Sequence, residues 1–254
     1  MDLSGKTILI TGASSGIGRA IASKLSVDNV NLILTARRIN LLEEIKEEDK
    51  TKKCSYLLLR CDVSDKNDVA AAYKEIKDKF GSVDLAILNA GAGHYMNVRN
   101  YNSQFAEKIY GTNLLGMIYW IEQLLPDLLE RKSGIIAGVS SLADNRGYSG
   151  SSFYTSSKAA VTNYLEGLRV ELNSYGVRVI TIRPGFVETP MTSGNKFKMP
   201  FLMTAEKAAD IILDGIKKEK RVIQFPWQMV LLTSFVGMLP GWLYELLAKQ
   251  QHKK

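Results

Sequence analysis

Short runs of consecutive apolar residues alternate along this chain with longer stretches of mixed apolar and polar positions. The short runs at residues 7–10, 31–35, 55–59, 85–88, 134–139, 177–182 and 221–224 predict strands. Several are apolar at consecutive positions, as strands covered on both faces are. The intervening stretches predict helices over residues 17–25, 41–48, 66–80, 104–131, 153–174 and 204–218. Ser64 and Asp65 are candidate N-caps for the third helix. Thr204 is the candidate for the last, with Glu206 in its first turn. Gly111 and Gly116 mark expected irregularities in the long fourth helix. Strand and helix in alternation argue for βαβ units and a parallel sheet.

Residues 188–203 lack periodicity and read as a mobile loop. Residues 225–248 are strongly apolar, but Gln228, Thr233, Ser234 and Glu245 interrupt them and Pro240-Gly241 breaks them in two. Two short helices are expected there rather than a membrane span. They would cover the substrate pocket, make a subunit contact, or lie on a membrane surface with Trp227, Trp242 and the closing KQQHKK at the boundary.

The 254 residues suffice for one large α/β domain spanning 1–254, with a loop at 189–203 facing substrate and an apolar helical extension at 225–254. The net charge of +7 is spread over many segments, which argues for a solvated basic surface and not for nucleic-acid binding. Cys54 and Cys61 read as reduced packing residues, with no metal-binding spacing. The opening MDLSGKTILITG passes straight into a strand without a long apolar targeting region, so a cytoplasmic location is expected, with membrane-peripheral contact as the variant.

Chemistry enters at three places. Gly12, Gly16 and Gly18 directly follow a strand and open a helix, a context in which backbone can approach a diphosphate. The second strand ends in Arg37-Arg38, where an NAD site usually carries an acid; Arg37, with Arg38 helping, suits a 2′-phosphate instead. Tyr154 and Lys158 stand four residues apart, so a helix puts both on one side, and an ammonium near the phenol would lower its pKa.

TGASSGIG at residues 11–18, LNAG at 88–91, Asn113, Ser141, YTSSK at 154–158 and RPG at 183–185 together resemble the short-chain dehydrogenase/reductase family, over roughly residues 3–190. The resemblance implies a Rossmann-like, doubly wound three-layer sandwich around a seven-stranded parallel sheet. It implies that Tyr154 is the general acid/base, that Lys158 also bonds the nicotinamide ribose, that Ser141 and not its neighbour Ser140 holds the substrate oxygen, and that Asn113 anchors a relay water. Cofactor contacts are implied for Gly12, Ser14, Ser15, Gly16, Ile17, Gly18, Asp62, Val63, Asn89, Ala90, Gly91, Pro184, Gly185, Val187 and Thr189. Leu88 stands where many relatives have asparagine, a change suited to a buried strand. His94 reads as a loop residue beside the cleft rather than a catalyst.

The expected function is NADP(H)-preferring interconversion of a carbonyl and an alcohol, with NAD(H) as the other cofactor, on a small and fairly apolar substrate. The resemblance also implies a homodimer or homotetramer. Two other readings compete: an NAD-linked alcohol dehydrogenase, and a cofactor-binding sensor or scaffold with little turnover.

Overall fold

The computed structural model describes residues 1–195 and 197–250, so the end of the basic tail, 251–254, and Lys196 of the expected substrate loop lie outside the described residues. Seven parallel strands form one sheet: β1 Thr7–Thr11, β2 Asn31–Ala36, β3 Ser55–Arg60, β4 Leu85–Leu88, β5 Gly134–Val139, β6 Val177–Pro184 and β7 Val222–Phe225. Their order is β3-β2-β1-β4-β5-β6-β7. The chain winds outward from β1 to β3, then returns to lay β4 against the other side of β1, with Ile8 opposite Leu85 and Ile10 opposite Ile87. That reversal opens a crevice beyond the carboxyl ends of β1 and β4, where α/β sheets bind ligands.

Strand periodicity decides the two cores. Along β1, Ile8 and Ile10 face one helical layer while Leu9 faces the other; along β4, Leu85 and Ile87 separate from Ala86 and Leu88 in the same way. The first layer holds α1 Gly16–Leu25, α2 Asn40–Glu48 and α7 Ala205–Lys217, which send in Ile21, Leu42 and Ile212. The second holds α3 Lys66–Phe80, α5 Gly116–Arg131 and α6 Ser152–Leu172, centred on the fully buried Trp120. Each buried aliphatic side chain contributes about 1.5–3 kcal/mol relative to exposure.

Asp65 caps α3 by accepting from the amides of Asn67 and Asp68, and Thr204 caps α7 by accepting from Lys207. The expected helix over 104–131 is interrupted as its glycines suggested. It consists of α4 Gln104–Tyr110, one π turn Gly111–Leu115, and α5. The 188–203 segment is closed at its base by a bridge between Val187 and Met203 and by the amide of Glu188 donating to Met203. The tail forms α8 Trp227–Met238 and α9 Gly241–Gln250, parted at Pro240.

Candidate active site

The loops after β1 to β6 meet around a cleft of about 370 Å³. The turn from β1 into α1 forms its floor. Gly12 and Gly16 have φ of +66° and +56°, and a Cβ would stand 2.8 Å from the backbone of Ala90 in the first case and 2.8 Å from Thr189 Cγ2 in the second. A Cβ on Gly18 would meet Asn89 Nδ2 at 2.5 Å. The three glycines therefore serve close packing as well as turn shape. Ser15 makes no side-chain cap bond to α1, and no acid occupies its first turn. The helix start thus keeps its amides and positive dipole end for an anion.

Asn89 braces this turn from the neighbouring strand. Its Nδ2 donates to the carbonyls of Thr11 (3.0 Å) and Gly12 (3.3 Å), while the amides of Asn89 and Ala90 both donate to Thr11 Oγ1. The two arginines take different places. Arg38 donates to the hydroxyls of Ser14 (3.0 Å) and Ser15 (3.2 Å), directly on the glycine turn. Arg37 is largely exposed and stands 3.8 Å from Asp62 across the cleft. Burial works against the Asp62 charge, but hydrogen bonds from Ser64 and the nearby Arg37 and Arg60 hold its pKa below the usual carboxylate value. Ile17, Val63, Gly91, Pro184, Gly185, Val187 and Thr189 also line the cleft.

At the far end of the cleft lie Ser141, Tyr154 and Lys158. Helix α6 presents the tyrosine and the lysine on one side, as their spacing requires, with Lys158 Nζ 5.9 Å from the Tyr154 ring centroid. The expected lowering of the phenol pKa is not what this arrangement produces. Burial pushes the Tyr154 pKa up, the Ser141 hydroxyl opposes that rise, and the charge of Asp144 adds to it. Burial also lowers Lys158, to about 8, with Asp144 pulling the other way. The ammonium is fixed at 2.8 Å from the carbonyl of Val139, at the end of β5, rather than on the phenol.

The two serines divide. Ser140 is buried and donates to the main-chain carbonyl of Lys158 at 2.9 Å, whereas Ser141 faces the phenol. Asn113 is fully buried in the π turn. Its Oδ1 accepts from the amide of Ala92 (2.7 Å), and its Nδ2 donates to the Ala92 carbonyl (3.0 Å) and to Ser157 (2.9 Å). That side chain fixes the 90–92 turn. His94 lies outside the cleft lining, its ring stacked on Phe105 at 3.9 Å.

Three groups escaped sequence reasoning. Asp144 is a buried acid paired with Arg183 and accepting from Thr162, whose Oγ1 also lies 2.7 Å from Ser140 Oγ. Thr11 and Ser157 are the partners that hold Asn89 and Asn113. The one signal for Asp144 was its position three residues after Ser141.

The family model for short chain dehydrogenase matches residues 6–199. An uncharacterized oxidoreductase of Myxococcus xanthus (strain DK1622) is 34% identical over 249 residues, covering 98% of this chain and 98% of its own. An NADP-dependent 3-hydroxy acid dehydrogenase of Schizosaccharomyces pombe is 35% identical over 234 residues, covering 87% and 90%. Among solved structures, a short chain dehydrogenase/reductase from Burkholderia phymatum in complex with NAD shares the fold with a TM-score of 0.84 at 22% identity, over 92% of this chain and 93% of that one.

Proposed function

Because the chain belongs to the short-chain dehydrogenase/reductase family, we propose that it is an NADP(H)-preferring oxidoreductase interconverting a ketone or aldehyde with an alcohol, with Tyr154 as general acid/base. The observation that carries this reading is the meeting of Ser141, Tyr154 and Lys158 at one end of a cleft whose other end is an uncapped glycine turn with Arg38 upon it. The relative named as an NADP-dependent 3-hydroxy acid dehydrogenase supports the same chemistry.

A bound nicotinamide dinucleotide supplies or accepts the hydride. The glycine turn and the start of α1 take its diphosphate, and Arg38 with Ser14 and Ser15 takes a 2′-phosphate, with Arg37 on the open side. Asp62 and Val63 border the adenine end; Gly91, Gly185 and Thr189 border the nicotinamide end. Ser141 holds the substrate oxygen. Tyr154 is kept protonated by its burial, which suits a donor to a developing alkoxide and so the reductive direction. Lys158, with its pKa at about 8, still carries its charge at neutral pH and stabilises the phenolate formed when that proton leaves. Asn113 anchors the water that links Lys158 to solvent and returns the proton.

Tyr154→Phe tests the reading. Loss of the acid should lower kcat for NADPH-driven ketone reduction by about 10²–10⁴-fold, while NADPH binding, followed by its fluorescence, stays within a few fold. Turnover that survives the change would overturn the assignment.

A further inference from the structure

Helices α8 and α9 are built the wrong way round for a packed strap. Between residues 227 and 248 the one charged side chain is Glu245. Yet α8 buries only Met229 and Thr233, while Trp227, Leu231, Phe235 and Met238 on α8 and Trp242 and Leu246 on α9 are each more than half exposed. The inward side is bonded through polar groups instead. Asn145 donates to the carbonyl of Thr233, Arg146 to those of Val236, Gly237 and Leu239, and the Tyr244 hydroxyl to Gly147 at 2.6 Å. These bonds fix the pair at a bend of 119° with its apolar side outward. No single helix among the described residues is long and apolar enough to cross a membrane. The 12 residues of α8 reach about 18 Å, against about 30 Å of bilayer hydrocarbon.

The position of this face gives it meaning. The segment that holds the pair, residues 145–147, follows Ser141 closely. The sheet is parallel, so the loops after β4, β5, β6 and β7 leave from the same edge. The loop after β4 exposes Tyr95 and Tyr101, and the loop after β6 exposes Phe197 and Phe201. Apolar side chains from three segments thus share the edge at which the cleft opens.

We propose that α8 and α9, with these flanking loops, dock on the surface of an anionic lipid bilayer, and that the substrate is an apolar carbonyl compound dissolved in that membrane; the substrate clause rests on the oxidoreductase reading above. Outward tryptophans and leucines, interrupted by the single charge of Glu245, suit the headgroup–acyl boundary. The net charge of +7, and three lysines among residues 249–254 at the end of the sequence, complement anionic headgroups. A second copy of the chain on this face would cover the loops framing the cleft, whereas a membrane there delivers substrate to it.

The test is co-sedimentation of the full chain with phosphatidylcholine vesicles with and without phosphatidylserine, beside L231Q/F235Q/W242Q, a variant altered at exposed positions. Wild type should pellet with the serine-containing vesicles, with a blue shift in tryptophan emission. The variant should bind at least tenfold more weakly while keeping its circular dichroism and NADPH affinity. Wild type should reduce both a long-chain ketone held in vesicles and a short water-soluble ketone; the variant should lose the first activity and keep the second. Wild type remaining in the supernatant with both vesicle types overturns docking. The same conclusion follows if the variant only dissociates an oligomer seen by light scattering, which would make the face an interface between copies. Vesicle binding without reduction of either ketone upholds docking and overturns the substrate clause together with the oxidoreductase reading.

Discussion

Replacing Asp144 with asparagine or alanine should weaken both the fold and the charge state of the site. The Asp144 carboxylate is buried and takes two donors from Arg183 and one from Thr162. Removing one partner of a buried ion pair costs about 3–5 kcal/mol because the other charge is left without compensation. Arg183 retains Gln224 Oε1 at 3.1 Å and a partly exposed side chain, which places Asp144→Ala near the lower end, about 3 kcal/mol. Asparagine keeps the volume and one acceptor oxygen, so Asp144→Asn should cost roughly half as much. Urea denaturation of the full chain reads these losses as lower midpoints with unchanged slopes. The second effect is electrostatic. Asp144 raises the pKa of Lys158, which burial has brought to about 8. NADPH affinity should therefore fall as pH rises through about 8 in the wild type, as the ammonium is lost, and the fall should begin at lower pH in Asp144→Asn. An Asp144→Asn protein with wild-type stability and an unmoved pH midpoint would refute both the ion-pair accounting and the assignment of Asp144 as the counter-charge.

Gly12→Ala combines a left-handed φ of +66° with a backbone contact at 2.8 Å; it should cost about 1–3 kcal/mol in thermal unfolding and abolish NADPH binding. Arg38→Gln should weaken NADPH binding about tenfold or more, the loss of a charge-assisted pair, and more than Arg37→Gln does, with NADH little affected; equal losses for the two cofactors in parallel titrations would remove the 2′-phosphate assignment. Lys158 has a folded pKa of about 8 against 10.5 when free, so its burial penalty is fully present below pH 8 and relieved as pH rises toward 10.5. Lys158→Met should accordingly be inactive yet more stable than wild type at pH 7, by up to about 3 kcal/mol at 1.4 kcal/mol per pH unit, with the advantage shrinking by pH 10 in denaturant titrations.

The parts of the fold that were legible in the sequence are those fixed by local chemistry. All seven strands are within two residues of their expected ends; β1, β2, β4 and β5 are almost wholly buried, while exposed Ser55 and Arg60 on β3 and Val222 and Gln224 on β7 mark the two edges of the sheet. Asp65, Thr204 and Pro240-Gly241 act within a few residues of themselves, and they behave as read. The spacing of Ser141, Tyr154 and Lys158 foretold their meeting, but not the charges that act there. Those depend on Asp144, and on Arg183 in a strand 39 residues further along, joined through tertiary contact alone. The outward side of α8 was equally hidden. A helix apolar around most of its circumference has no stripe to say which side packs, and the choice falls to Asn145 and Arg146 on another loop.

The π turn at Gly111–Leu115 has a consequence for how this chain tolerates changes of length. A π turn holds one residue more than an α turn, so the helix from Gln104 to Arg131 carries, in effect, an inserted codon at Asn113. Deleting one residue there would let the flanking helices anneal into a single regular rod with a better-bonded backbone. The same deletion would swing the remaining side chains away from Ala92 and undo the 90–92 turn. Selection for activity and selection for helix quality therefore oppose one another at this point, and a survey of single-codon deletions would find here a chain that folds more readily and does nothing.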